Sequence, residues 1–120
     1  MSSVIRGSDN FDSEGIVEGT ATAWVNFNGT GTVAIRDSYN VSSITDNGVG
    51  VYTVNFATLM GNANYSVGGM GGGADINQIN VSQPISTVAP TTSSVRLSVT
   101  YVNGTLWDTP TLHAQIFGGK

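Results

Sequence analysis

Apolar side chains recur at every second position along most of this chain. In residues 20–28, Ala21, Ala23, Val25 and Phe27 fall on one parity and Thr22, Trp24, Asn26 and Asn28 on the other. That is the period of a strand with one buried face. The alternation returns at Val33 and Ile35, at Tyr52, Val54 and Phe56, at Tyr65 and Val67, at Val95, Leu97, Val99 and Tyr101, and at Leu112, Ala114 and Ile116. Within 38–45 the parity breaks: Tyr39 and Val41 share one face and Ile44 takes the other. Burying all three in one strand requires a bulge near Ser42 and Ser43.

Turn residues punctuate these runs. Asn28-Gly29-Thr30-Gly31 predicts a hairpin between the first two strands, and the turn at residues 46–50 separates the next two. Residues 57–63 read as a short connection with one helical turn, and no window supports a helix of about ten residues or more. The expected fold is all-β: an antiparallel β-sandwich, jelly-roll-like, of about six to eight strands. It occupies residues 19–120. Residues 1–18 precede it as an arm that holds Asp9, Asp12, Glu14 and Glu18, half of the chain's eight acidic groups.

One residue disturbs the pattern. Trp24, the largest side chain of its strand, sits on the polar parity among Thr22, Asn26 and Asn28. A strand whose two faces are both covered would account for it. A tryptophan capping the edge of a lone sandwich is the alternative.

Composition narrows the function classes. With 120 residues the chain holds one domain with a modest core. Charged residues are 10% of it, against about 25% in ordinary domains, so solvent-facing positions are mainly Ser, Thr, Asn and Gly. The formal net charge is −4, and the basic side chains are Arg6, Arg36, Arg96 and Lys120. No basic stripe exists to neutralise phosphates, so nucleic acid is not an expected partner. The absence of cysteine excludes disulfides and thiolate metal sites. No apolar run approaches about 18 residues and the first six lack a secretory apolar stretch, so membrane insertion is not expected.

Candidate chemistry is thin. Gly69-Met70-Gly71-Gly72-Gly73-Ala74 matches the spacing of a dinucleotide fingerprint, but β-branched residues and Pro84 follow where a helix should begin. A mobile or tightly turning loop is expected there, and no cofactor. Asn10, Asp12, Glu14, Gly15 and Glu18 have the spacing of a calcium loop, yet Ala21 stands where its bidentate carboxylate belongs. Sequons at Asn28, Asn40, Asn64, Asn80 and Asn103 are what turns and solvated strands of this composition produce. His113 shares the parity of Thr111 and Gln115, as a solvated or interface histidine without a triad partner. Asp12 with Glu14, or Asp46 with Asp75, would be the carboxylate pair of a glycan depolymerase, but no cleft is legible between them. The expectation is a non-enzymatic protein.

Residues 23–36 (Ala-Trp-Val-Asn-Phe-Asn-Gly-Thr-Gly-Thr-Val-Ala-Ile-Arg), followed by Asn40-Val-Ser-Ser-Ile-Thr-Asp-Asn-Gly48 and Tyr52-Thr-Val-Asn-Phe56, carry a resemblance. The chain resembles a module near the C-terminus of tailed-bacteriophage tail-fibre and related virion structural proteins. The resemblance is close over residues 7–67 and weak over 68–110. Leu59-Met60-Gly61 and Val51 depart from the family pattern. The family module ends a long fibre, whereas this chain starts at its own methionine and carries no shaft, as either an excised piece of such a fibre or a short product that decorates a virion would.

The resemblance implies a homotrimer located in the virion, with Trp24, Asn26, Val51 and His113 as candidate protomer contacts. It also implies that the acidic arm docks to other virion proteins. The glycine-rich segment differs from the family, and Met70 and Asp75 within it are candidate contacts to a receptor or partner. Trp107 and Asp108, in the connection 103–110 that is expected to join the last two strands as a pair at an exposed end of the sandwich, are the strongest such candidates. They combine an apolar platform with an acceptor for sugar hydroxyls. The alternative for Trp107 is a plug over the open end of the core. Two functions remain open: a fibre tip binding a host surface glycan or protein, or a capsid decoration or tail-attached protein binding other virion proteins.

Overall fold

The computed structural model describes residues 19–73, 79–84 and 87–120. The arm, its calcium-like spacing and Asp75 lie outside the described residues. The described elements are eight strands: β1 (Ala21–Asn28), β2 (Ala34–Tyr39), β3 (Val41–Gly48), β4 (Val51–Phe56), β5 (Ser66–Gly72), β6 (Ile79–Ser82), β7 (Ser94–Tyr101) and β8 (Thr111–Phe117). They form two four-stranded antiparallel sheets packed face to face. Sheet A has the order β2-β1-β8-β5 and sheet B the order β3-β4-β7-β6.

The core lies between the sheets and is built from the period-two positions. Val25 and Phe27 of β1 and Leu112, Ala114 and Ile116 of β8 meet Tyr52 and Val54 of β4 and Val95, Leu97 and Val99 of β7. Alternation thus becomes burial, because a strand that shows one face to a second sheet must place every second side chain there. Phe27 and Tyr52 meet edge to face across the core, 5.3 Å between ring centres.

The expected bulge is present: Val41 pairs with Phe56 and Ser43 with Asn55, which leaves Ser42 as the extra residue. It returns Ile44 to the core side. Tyr39, however, belongs to the previous strand and is 57% exposed. The chain changes sheet at Asn40, whose φ of 54° lies in the left-handed region that asparagine tolerates. Its side chain holds the corner, accepting the Thr58 N–H at 2.7 Å and donating to the Thr22 carbonyl at 3.2 Å.

Three further expectations are corrected. Residues 57–63 contain no helical turn. The connection is anchored instead by Met60, buried in the core, whose N–H donates to the Thr92 carbonyl. Gly69 to Gly72 are not a loop but most of β5, paired without interruption to β8 from Ser66↔Phe117 to Gly72↔Thr111. The last two strands are not partners of each other: β7 pairs with β4 and β6, and β8 with β1 and β5. Residues 102–110 therefore cross from one sheet to the other.

Candidate functional site

The outward positions of the two sheets differ in chemistry. Sheet B presents short polar side chains that bond to one another: the Asn55 amide donates to Ser43 Oγ at 3.1 Å and Thr45 Oγ1 at 2.9 Å, and Thr53 Oγ1 donates to Asn47 at 2.6 Å. Val51 stands on this sheet, opposite Ser98.

Sheet A presents aromatic and apolar groups. Trp24 lies on β1, a central strand, with Tyr39 directly opposite on one side and Gln115 on the other. In the neighbouring row His113 stands between Asn26 and Met70. Arg36 reaches across the end of this face, donating to Asn26 Oδ1 at 3.2 Å and to the Pro110 carbonyl at 2.6 Å. Met70 is 70% exposed, and Phe117, at the end of β8, is 41% exposed. The fold thus brings Trp24, Asn26, His113 and Met70 onto one surface and places Val51 on the opposite one. Tyr39 was not legible as part of this surface, since its place beside Trp24 follows from the corner at Asn40.

Beside Tyr39, where the C-terminal residues return across the sandwich, lies a hollow of about 470 Å³, lined by Thr22, Thr58, Leu59 and Lys120 among others. Gly61 N–H and the Asn62 amide hold the C-terminus there by donating to the carbonyls of Gly119 and Lys120. No three His, Asp or Glu side chains come together among the described residues.

Trp107 and Asp108 occupy the end of the sandwich where the turns after β1 and β3 meet the β7–β8 crossover. Trp107 is half-buried, packs against the core and lies 5.1 Å from the Tyr101 ring. Its N–H donates to the Val99 carbonyl, which ties the crossover to β7. Asp108 turns inward: its Oδ1 accepts from the Gly50 N–H at 2.8 Å and lies 2.9 Å from the Tyr52 hydroxyl. That hydroxyl, the tip of a fully buried ring, also has the Gly29 carbonyl at 2.8 Å. Burial, reinforced by the Asp108 carboxylate, pushes the Tyr52 phenol above its ordinary value. Next to it Thr109 donates to the Gly72 carbonyl at 2.6 Å, and its own carbonyl accepts from Gly29 N–H. Asp108 and Thr109 together pin the ends of β1, β3 and β5, and Trp107 has the geometry of a plug.

Gly29 has no room for a side chain in this cluster. A Cβ there would meet the Tyr52 hydroxyl and come within 2.8 Å of the Thr109 carbonyl. Gly29→Ala is therefore expected to destabilise the fold by about 1–3 kcal/mol, the usual cost of overpacking, measured by urea denaturation. An unchanged midpoint would show that the turn relaxes freely.

Comparison with other proteins adds no assignment: the chain matches no protein-family model, no curated protein and no solved structure.

Proposed function

We propose that this chain is a non-enzymatic bacteriophage virion structural protein that assembles as a homotrimer through the outer face of sheet A and displays its end loops at the particle surface. The observation that carries this reading is the contrast between the two outer faces. A protein with so few charges leaves Trp24, Tyr39 and Met70 on the same outer face of sheet A while the opposite surface satisfies its own polar groups. Large apolar side chains gathered on one face in this way mark a contact surface. The resemblance to tail-fibre modules supports it further, because the stretches that carry the resemblance fall on β1 to β4 and include Trp24.

Of the two roles open to such a module, a fibre tip that binds the host surface uses the Trp107 end. Asp108 is spent on Gly50 and Tyr52, which favours the second role there: a capsid decoration or tail-attached protein whose partners are other virion proteins.

Light scattering at micromolar concentration tests the assembly, and a monomer overturns it. Trp24→Ala should weaken self-association on the order of 30-fold, the effect of losing about 2 kcal/mol at an interface hot spot. Labelling of virions with an antibody to the purified chain, beside adsorption of that chain to host cells, separates the two roles. An unlabelled particle removes both.

A further inference from the structure

The four edge strands of the sandwich are not equally protected. A free edge offers unpaired backbone groups to any other strand, and folded proteins blunt it with charges, bulges, proline or short length. β2 carries Arg36 and Asp37 and a register shift against β1. β3 has two register shifts and Asp46. β6 is four residues long and is followed by Pro84. β5 has none of these devices. It runs for seven residues, Ser66-Val67-Gly68-Gly69-Met70-Gly71-Gly72, with no charge, no proline and no shift against β8, its sole ladder partner among the described residues.

Its sequence is also matched to itself. Lay a second β5 antiparallel to the first with Gly69 opposite Gly69. Met70 then faces Gly68 of the other copy on the outer surface, Val67 faces Gly71 on the inner one, and Ser66 faces Gly72. Every side chain of size meets a glycine. The outer positions have room to receive it: a Cβ at Gly68 or Gly72 would approach nothing closer than 3.8 Å. Pairs of like parity close the ladder whichever parity turns its N–H and C=O groups outward. No charge is brought against a like charge, so self-pairing meets no electrostatic opposition.

We propose that β5 is a docking strand for β5 of a second copy, added across a two-fold axis at Gly69, so that the two four-stranded sheets A become one continuous sheet. This contact is isologous and separate from the packing through Trp24. With both in place, three-fold packing through the face and two-fold pairing at the edge give even multiples of the trimer. The edge pairing goes beyond the functional reading above and does not depend on it.

The absence of cysteine makes the test clean, because an introduced thiol is the sole one. Gly68→Cys and Met70→Cys chains, purified separately, mixed under conditions of subunit exchange and oxidised, should form a disulfide-linked dimer at least tenfold faster than either alone or than a Thr45→Cys control on sheet B. Gly68→Lys, at an exposed position whose added side chain would crowd Met70 of the other copy, should keep the far-ultraviolet spectrum and reduce the assembled mass to that of a trimer. Trp24→Ala should leave the edge-paired dimer. A wild-type mass of a trimer alone overturns the edge pairing and leaves the face reading intact. Cross-linking no faster than the control, or a Gly68→Lys mass equal to wild type, overturns it too, as does pairing with a strand of another protein, which yields no link between copies.

Discussion

Tyr52→Ala should remove about 3–5 kcal/mol of stability, the range for deleting a buried aromatic ring, and so a large share of the roughly 5–15 kcal/mol that a domain of this size possesses. The ring is fully buried, packs edge to face on Phe27, and ends in the cluster that ties Gly29, Gly50 and Asp108 together. Two milder variants separate its contributions. Tyr52→Phe keeps the ring and strips the hydroxyl. Asp108→Ala keeps the tyrosine and leaves the Gly50 N–H without its carboxylate. Each should cost about 1–3 kcal/mol, the penalty for a buried polar group that loses its partner. At about 4–8 °C per kcal/mol for a domain near 100 residues, both are readily seen in melting temperature.

This outcome also decides what Asp108 is for. A receptor contact would lose adsorption to cells while melting stayed constant. The inward carboxylate predicts a lower melting temperature for Asp108→Ala, with any change in adsorption following from it. Equal stability of Tyr52→Phe, Asp108→Ala and the unaltered protein would show that the cluster contributes nothing.

The strands whose inner faces meet both core and partner were legible from parity. Val25, Phe27, Tyr52, Val54, Val95, Leu97, Leu112 and Ile116 all alternate in the sequence and all are buried. Even the bulge at Ser42 followed from parity, because Val41 and Ile44 could not otherwise share a core. β5 was hidden for a physical reason. Glycine has no side chain to alternate and weakens a strand taken alone, so what makes Gly68 to Gly72 extended is the ladder to β8, about 40 residues later. Sheet membership was hidden too: nothing local to residues 102–110 says that the chain is changing sheets.

The candidate site divided along the same line. Trp24, Asn26 and His113 share a surface because one ladder carries all three, and parity alone assigned their direction. Tyr39 joined them only through the left-handed turn at Asn40, whose signal is an asparagine between two β-prone residues. Asp108 beside Trp107 reads in the sequence as a ligand-binding pair. Its true partners, Gly50 and Tyr52, lie 58 and 56 residues earlier. A carboxylate in a loop and a carboxylate holding two loops together are the same letters until the long-range contact is known.

Alkaline solution should unfold this protein sooner than its sparse charge suggests. The Tyr65 hydroxyl donates to the carbonyls of Thr91 and Ser94, at 2.8 and 3.0 Å, and burial pushes its phenol up to about 12. Tyr52 is raised as well, by burial first and then by Asp108. Both folded values lie above the ordinary phenol value of about 10 of an unfolded chain. Below pH about 10 both states keep the protons and the stabilisation is complete. Above it the unfolded chain releases protons that the folded one retains, so stability falls as pH rises toward the folded values. Each tyrosine then removes about 1.4 kcal/mol per pH unit, or about 2–3 kcal/mol for the pair at pH 11. Melting temperatures taken from pH 8 to 11 at constant ionic strength should stay level and then drop steeply past pH about 10, with tyrosinate absorbance appearing together with unfolding. Tyr65→Phe should lower stability at neutral pH by about 1 kcal/mol while halving the alkaline slope. A melting temperature that stays level to pH 11 would mean that these two phenols ionise inside the folded protein, and that neither ring is sealed from water as the core packing requires.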